Sequence, residues 1–268
     1  GFAAGEGVTI GVENTLIGGR AGDALTDADK NVAVGSEALS VDTLGSRSTA
    51  VGRAALANQN FTTATDTYNT AVGYNAGVEV TTGVQNTLMG GLAGDSLTTS
   101  SGNVAIGYQA LSTETAYSEN TAIGYQALKT NSGGYYNVAV GHEALLSNTT
   151  AQSNTGIGND ALRANTTGAS NTAVGADSLE ANTTGAYNTA VGMTALDANT
   201  TGGTNTAVGY ASLGANTTAE HNTAVGQNSL ASNTTGHSNV AVGRAALTSN
   251  TTANYNIGIG RDAGALIV

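Results

Sequence analysis

Proline, cysteine and tryptophan are absent from this chain of 268 residues. A proline would remove one N–H from a β-ladder, so its absence favours a chain that lies mostly in continuous hydrogen-bonded sheet. The absence of cysteine excludes disulfides and thiolate metal sites. The aromatic residues are ten Tyr and two Phe, and this small number argues against a thick globular core.

Positive charge is also scarce, with eight Lys and Arg against nineteen Asp and Glu and a net charge of −11. A basic surface for nucleic acid or anionic lipid is therefore excluded, and we expect no nucleic-acid partner. No apolar run is long enough to cross a bilayer, so we expect no membrane insertion. Because the sequence has no initiator Met and no signal peptide, we expect it to be a segment of a longer protein.

Fifteen units repeat along the chain, each opening with a run that reads Asn-Thr-Ala-Val-Gly at its most regular. We number the positions of a unit 1 to 17 from its first residue. The first residues are Asn14, Asn31, Ser48, Asn69, Asn86, Asn103, Asn120, Asn137, Asn154, Asn171, Asn188, Asn205, Asn222, Asn239 and Asn256. One interval is 21 residues instead of 17, which predicts a four-residue insertion near 61–66 that bulges as a loop. We predict one domain over 1–268, with a lead-in at 1–13 and repeats over 14–268.

The opening run predicts a β-strand, because position 2 is always β-branched, position 4 is Val, Ile or Met, and position 5 is always Gly. Helix is excluded by the frequency of Asn, Thr and Gly. Position 8 is Ala or Ser, and position 9 is Leu in eleven units and Gly in four, which predicts a second, shorter strand. Two strands and two turns fill a unit, so the predicted fold is an all-β parallel β-solenoid of about fifteen 17-residue coils.

The strand has no charged face, which is typical of strands covered on both sides. We predict that Leu of position 9 and Val or Ile of position 4 line the interior, and that Asn columns stack as amide ladders. The opposite face, of Ala and Gly, would then need a partner surface. This pattern predicts a parallel, in-register homotrimer whose interface includes Ala173, Ala190, Ala207 and Ala224.

The run of Asn-Thr-Ala-Val-Gly-x-x-Ala-Leu units resembles the repeats of trimeric autotransporter adhesin heads, and still more the related arrays of phage tail fibres and tailspikes. The resemblance extends from Asn14 to about Leu266. It implies a left-handed β-roll, three parallel chains, and a spacer or adhesive role outside the cell, on a virion tail or a cell surface. The adhesin heads use shorter units, and no anchor, neck or chaperone segment is present, so both origins stay open and we favour the viral fibre.

Two other functions fit parts of the pattern. Val-Gly-x-x-Ala-Leu matches the hexapeptide of left-handed β-helix acyltransferases. Those enzymes stack three such hexapeptides per coil, whereas here only one of about three segments fits, and no loop carries a candidate His base. The abundance of Thr suggests an ice-binding solenoid, whose flat face needs Thr at alternate positions. The paired Thr here are adjacent and so point to opposite sides.

The candidate chemical residues do not form a catalytic, cofactor or metal site. His142, His221 and His237 occupy different positions and cannot stack into one metal column. The stretch 27–31 begins like a calcium loop but lacks its Gly and its last acid, where Ala38 stands. We predict no enzyme activity, no cofactor and no metal.

Exposed tyrosines are the remaining candidates for recognition. Tyr74, Tyr108, Tyr125 and Tyr210 share position 6, and we predict that they are exposed and available to a host glycan or protein receptor. A second set shares position 17: Tyr68, Tyr136, Tyr187 and Tyr255. Seven Asn-Thr-Thr sequons recur with the period, and we interpret their asparagines as turn residues.

Overall fold

The computed structural model describes residues 1–114 and 118–265, in two compact units, Gly1–Tyr135 and Tyr136–Val268. The described residues contain β-strands and turns and no helix. Equivalent residues of successive coils stack, which confirms the predicted all-β parallel β-solenoid with 17-residue coils. Leu266, at the end of the predicted array, lies outside the described residues. The hand of the coil and the trimeric state stay predictions.

The first unit contains nine short strands and the second contains eight. Those of the first are β1 (Thr15–Ile17), β2 (Val32–Val34), β3 (Gly45–Ser46), β4 (Thr49–Val51), β5 (Thr65–Asp66), β6 (Thr70–Val72), β7 (Thr87–Met89), β8 (Val104–Ile106) and β9 (Thr121–Ile123). Those of the second are β10 (Val138–Val140), β11 (Thr155–Ile157), β12 (Thr172–Val174), β13 (Thr189–Val191), β14 (Thr206–Val208), β15 (Thr223–Val225), β16 (Val240–Val242) and β17 (Ile257–Ile259).

Within each compact unit, a strand at positions 2–4 pairs in parallel with the same strand of the next coil. In the second unit, for example, Thr172 pairs with Thr189 and Ala173 with Ala190. The register shifts to 21 residues between Thr49 and Thr70, across the insertion, and returns to 17 afterwards. The repeat period therefore sets the ladder, as the sequence predicts.

The second strand predicted around position 9 is wrong, because this segment is a series of turns. Ser178 N–H donates to the carbonyl of Gly175 within one coil, and Asn182 N–H donates to that of Leu179. Leu179 N–H instead donates to Ala195 in the next coil. Leu179 has a φ of 52°, a left-handed conformation that no regular strand contains. In this segment, some backbone N–H groups thus donate within their own coil and others donate to the next coil.

The left-handed conformation of leucine at position 9 costs roughly 1–2 kcal/mol. The side chain is completely buried wherever position 9 is Leu, and burial of a leucine contributes about 1.5–3 kcal/mol. Packing of the interior therefore offsets the backbone strain. This balance explains how a residue other than glycine occupies that turn.

Alanine of position 3 forms a further apolar column of the interior, and its exposure is 0% in every unit that has it. The prediction for the interior is confirmed for Leu and wrong for Val, whose column at position 4 points outward. Where position 9 is Gly, leucines elsewhere fill the volume: a Cβ on Gly22 would lie 2.7 Å from Leu16 Cδ2 and 2.9 Å from Leu25 Cδ1. The interior therefore stays filled, although leucines at other positions supply the side chains.

The asparagine at position 1 forms the first predicted amide ladder. Asn171 Oδ1 accepts the backbone N–H of Asn188 in the next coil at 2.9 Å. Its Nδ2 donates to the carbonyl of Gly185, at position 15 of the same coil, at 2.8 Å. One buried amide therefore joins the two ends of its own coil and the start of the next. Its two hydrogen bonds satisfy four polar groups: its own oxygen and nitrogen, the Gly185 carbonyl and the Asn188 N–H.

The asparagine at position 12 forms the second ladder. Asn182 Nδ2 donates to Asn165 Oδ1 at 2.8 Å and to the carbonyl of Gly185 at 2.9 Å. These are the asparagines of the Asn-Thr-Thr sequons, and their side chains are completely buried. The interpretation of these residues as structural asparagines is consistent with this burial.

The insertion is only partly a surface loop. Phe61 is buried, whereas residues 62–64 are exposed. Ser48, which replaces the asparagine of position 1 here, accepts a hydrogen bond from Gln59 Nε2 at 2.9 Å. Gln59 also donates to Asp42 Oδ2 at 2.6 Å, and its Oε1 accepts from Asn69 at 2.8 Å. A local polar network thus substitutes for the missing amide.

The lead-in at 1–13 also continues the repeat. Gly5 N–H donates to Ala21 and Gly7 N–H donates to Asp23, so residues of the lead-in lie over those 16 to 17 positions later. The segment corresponds to positions 5–17 of a unit and lacks its strand.

Glycine at position 5 is required by both backbone angle and space. Across the units its φ lies between 118° and 145°, where residues with a Cβ are strained. A Cβ on Gly175 would lie 2.6 Å from the carbonyl carbon of Gly192 in the next coil.

We expect Gly175→Val to lower the melting temperature much more than Ala176→Val at the neighbouring variable position. The valine at 175 would have to displace a backbone that no rotamer change can move, at a cost of several kcal/mol. Thermal unfolding followed by circular dichroism measures both. Equal shifts would contradict the steric role of the glycine.

We expect Asn199→Ala to destabilise the fold by about 1–3 kcal/mol, because it removes amide bonds to Asn182 and Gly202 and leaves Asn216 with one acceptor fewer. Exposed Thr201→Ala is the control, with an expected effect within about 0.5 kcal/mol. Denaturant unfolding measures the difference, and an Asn199 variant as stable as the control would show that the ladder contributes nothing.

Candidate functional site

The outer side of the β-strands presents an uncharged surface, which we call the strand face. It consists of Thr or Val at position 2 and Val, Ile or Met at position 4. These residues are half-buried for the most part, and the exposure of Met89, Ile157 and Val191 is 37–42%. In each of the two units the strand face continues from coil to coil without a charged side chain.

The predicted interface residues lie on the other side of the same strands. Ala173, Ala190, Ala207 and Ala224 are completely buried inside their coils. Their assignment to an interface between chains is therefore wrong, because no other chain can touch a side chain enclosed in this way. The predicted alternation of the two sides of the strand is correct, but the side that faces the interior is the opposite of the predicted one. Alanine faces inward because its side chain is small enough to share the interior with Leu.

The tyrosines of position 6 are exposed as predicted, by between 45% and 54%. Tyr108 and Tyr125 stack in successive coils, with ring centroids 5.8 Å apart and planes at 19°. The guanidinium of Arg53 lies 5.6 Å from the ring centre of Tyr74. These contacts hold part of the column in place, and the contribution of Tyr74, Tyr108, Tyr125 and Tyr210 to receptor binding stays a prediction.

An acidic row, missed by the sequence analysis, follows position 7 of three coils: Glu143, Asp160 and Asp177. Their 17-residue spacing was the signal that could have revealed it. Arg163 at position 10 pairs with two of these acids, since its Nε donates to Glu143 Oε2 at 2.7 Å and lies 3.6 Å from Asp160 Oδ1.

The one arrangement among the described residues in which three such groups could hold a metal ion belongs to this row. His142, Glu143 and Asp160 bring three ligand atoms within 4.8 Å of one another. His142 Nδ1 lies 3.9 Å from Asp160 Oδ1, and the guanidinium of Arg163 already occupies the space beside both acids. The row is thus built as an ion-pair network.

Two acids at position 10, Glu180 and Asp197, are also affected by the charges of the acidic row. Burial raises the pKa of Asp197, and the charge of Asp177 raises it further. Burial also raises the pKa of Glu180, with additional contributions from Asp177 and Asp160. An acid with a raised pKa binds its proton more tightly in the folded chain, so its contribution to stability is greatest at low pH and is lost as the pH rises through the folded pKa.

We therefore expect Asp197→Asn to raise the melting temperature at pH 7, and the gain to shrink as the pH falls towards the ordinary aspartate pKa of about 3.9. Melting curves across this pH range measure the effect. Glu119→Gln removes the same charge at an exposed position and serves as the control. A gain that persisted unchanged at low pH would exclude the electrostatic cause.

A surface depression of about 440 Å³ lies on the corner formed by positions 14–17 of three successive coils in the second unit. We call it the corner depression. Its lining residues are Thr218, Ala219, Glu220, His221, Thr235, His237, Ser238 and Tyr255. The two histidines occupy different positions of their units, as predicted, but adjacent coils bring them to the same depression.

The stretch 27–31 does not present a free set of ligands. Asp29 Oδ1 accepts the backbone N–H of Val12 at 2.7 Å, and Ala28 is buried. The absence of a calcium site here and of catalytic residues stays a prediction.

Comparison with protein families, with curated proteins and with solved structures finds no match to this chain. The resemblance to adhesin and tail-fibre repeats is therefore an inference from the repeat itself. Within the part of the chain that the structure describes, there is no helix capable of spanning a lipid bilayer.

Proposed function

We propose that the chain is a structural and adhesive segment of an extracellular fibre, a virion tail fibre or a surface adhesin, and that it assembles as a parallel homotrimer. Its partners are two further copies of itself and a host surface receptor. The observation that carries the proposal is the strand face, an uncharged surface that repeats in every coil of each unit.

The strand face favours association with copies of the same chain. Identical positions stack at about 4.8 Å, so the face of one chain matches that of a parallel copy at every coil. A contact of Thr and Val side chains is small in one coil but accumulates over the repeats. Association through positions 2 and 4 replaces the alanine interface that the sequence predicted.

The ice-binding alternative gains no support from this geometry. The outward pair at positions 2 and 4 combines Thr with Val or Ile instead of two Thr columns. In the adjacent pair, Thr183 Oγ1 donates to the carbonyl of Thr200, whereas Thr184 is exposed. The two hydroxyls of the pair thus point to different sides.

We expect Val191→Glu to prevent assembly, since it places three charges in the middle of a dry trimer interface. Thr184→Glu adds the same charge at an exposed turn and should leave assembly intact. Light scattering gives the mass of each variant, and circular dichroism verifies that the solenoid remains folded. An unmodified chain that is monomeric at micromolar concentration would overturn the trimer and the fibre function that depends on it.

A further inference from the structure

The corner depression lies where the residues at positions 16 and 17 differ from those of the coils just before it. Positions 16 and 17 hold small pairs or a lone tyrosine in the three preceding coils, with Ala-Ser at 169–170, Ala-Tyr at 186–187 and Gly-Thr at 203–204. The next three coils hold Glu-His at 220–221, His-Ser at 237–238 and Asn-Tyr at 254–255. Two of the three histidines of the chain are therefore concentrated at one corner.

The three residues of position 17 create a slot. His221, Ser238 and Tyr255 have φ values of 62°, 58° and 60°, so their side chains leave the backbone in the same direction. Coils stack at about 4.8 Å, which places His221 and Tyr255 roughly 10 Å apart in this column. The small side chain of Ser238 leaves the space between them open.

The rings beside the slot are held before any ligand arrives. His221 Nδ1 lies 2.7 Å from Thr204 Oγ1. The ring of His237 meets that of Tyr255 edge to face, with centroids 5.2 Å apart. The backbone N–H of His237 is in turn bound to Asn254 Oδ1 at 2.8 Å. Binding there would order few side chains, which favours affinity.

The lining combines one aromatic surface with many hydroxyls. Tyr255 is 74% exposed, so most of its ring is available for stacking. Thr218, Thr235 and Ser238 offer hydroxyl groups that can donate or accept, and the carboxylate of Glu220 accepts hydrogen bonds. The volume of about 440 Å³ is within the range of roughly 300–1,000 Å³ typical of small-molecule sites.

A pyranose ring has the matching chemistry, since it presents a C–H face to an aromatic ring and hydroxyls around its edge. We propose that the corner depression binds a saccharide, with one sugar ring against Tyr255 in the slot above Ser238. This inference rests on the proposed adhesive function and identifies its ligand class. The lining contains a single carboxylate, Glu220, whereas glycoside hydrolysis generally uses a pair, so the site binds its sugar without cleaving it.

The test uses the full chain and a panel of methyl glycosides of glucose, galactose, mannose, N-acetylglucosamine and N-acetylgalactosamine. Saturation-transfer NMR detects binding, and titration gives the dissociation constant. We expect at least one glycoside to bind and Tyr255→Ala to weaken it by roughly tenfold. Ser238→Tyr should abolish binding by filling the slot. This variant should fold, because Tyr187 and Tyr255 occupy the same position with the same φ of 60°.

Tyr187→Ala is the matched control, since this residue shares position 17 and is exposed but lies outside the corner depression. It should bind as the unmodified chain does. Binding that survives both Tyr255→Ala and Ser238→Tyr would overturn the assignment of the site, and a folded, trimeric chain that binds no glycoside of the panel would overturn the saccharide inference alone. A monomer that binds the sugar would instead overturn the trimer and keep the site.

Discussion

The side-chain amide of the asparagine at position 1 holds together both the single coil and the stack of coils. In Asn171 it accepts the first N–H of the next coil and donates to the carbonyl of Gly185 at the far end of its own coil. A coil of 17 residues has too little apolar material to close itself, and an unpaired amide inside would be costly. Because an amide such as that of Asn171 is satisfied by its neighbours, the interior can be polar along one side. Stability then depends on every coil finding the same register as the last.

That register leaves little freedom to the other interior positions. Gly at position 5 is enclosed by the backbone of the next coil, and Ala at position 3 shares the core with Leu at position 9. Where one interior position has a small residue, larger residues at other positions fill the space, as Leu16 and Leu25 do beside Gly22. Since the small side chains must face inward, the β-branched ones face outward. The direction of the strand face is thus a consequence of packing inside the coil, and this face is the surface that we propose for association.

The period, the strands at positions 2–4, the two asparagine ladders and the exposed tyrosines could all be predicted from the sequence, because each follows from one residue type at one position. The direction of the strand face could not, since alternation alone does not tell which side is inside. The recurring Ala-Leu or Ser-Leu pair predicts Leu179 in a strand, whereas the turn geometry of the assembled coil places it at a φ of 52°, where burial offsets the strain. The acidic row required Glu143, Asp160 and Asp177 to be compared across coils instead of along the chain.

In a solenoid of this kind, the repeated positions are committed to structure, so a specific function must come from positions that the ladder leaves free. Positions 6, 7, 16 and 17 are such places, and they vary from unit to unit, whereas position 5 is always Gly. Variation of this kind can be neutral, but neutral changes would scatter small polar residues evenly along the corner. Glu220, His221, His237 and Tyr255 are instead grouped in three successive coils around the small Ser238. A ligand the size of a sugar spans about that distance, and a uniform corner would offer it no preferred place to bind.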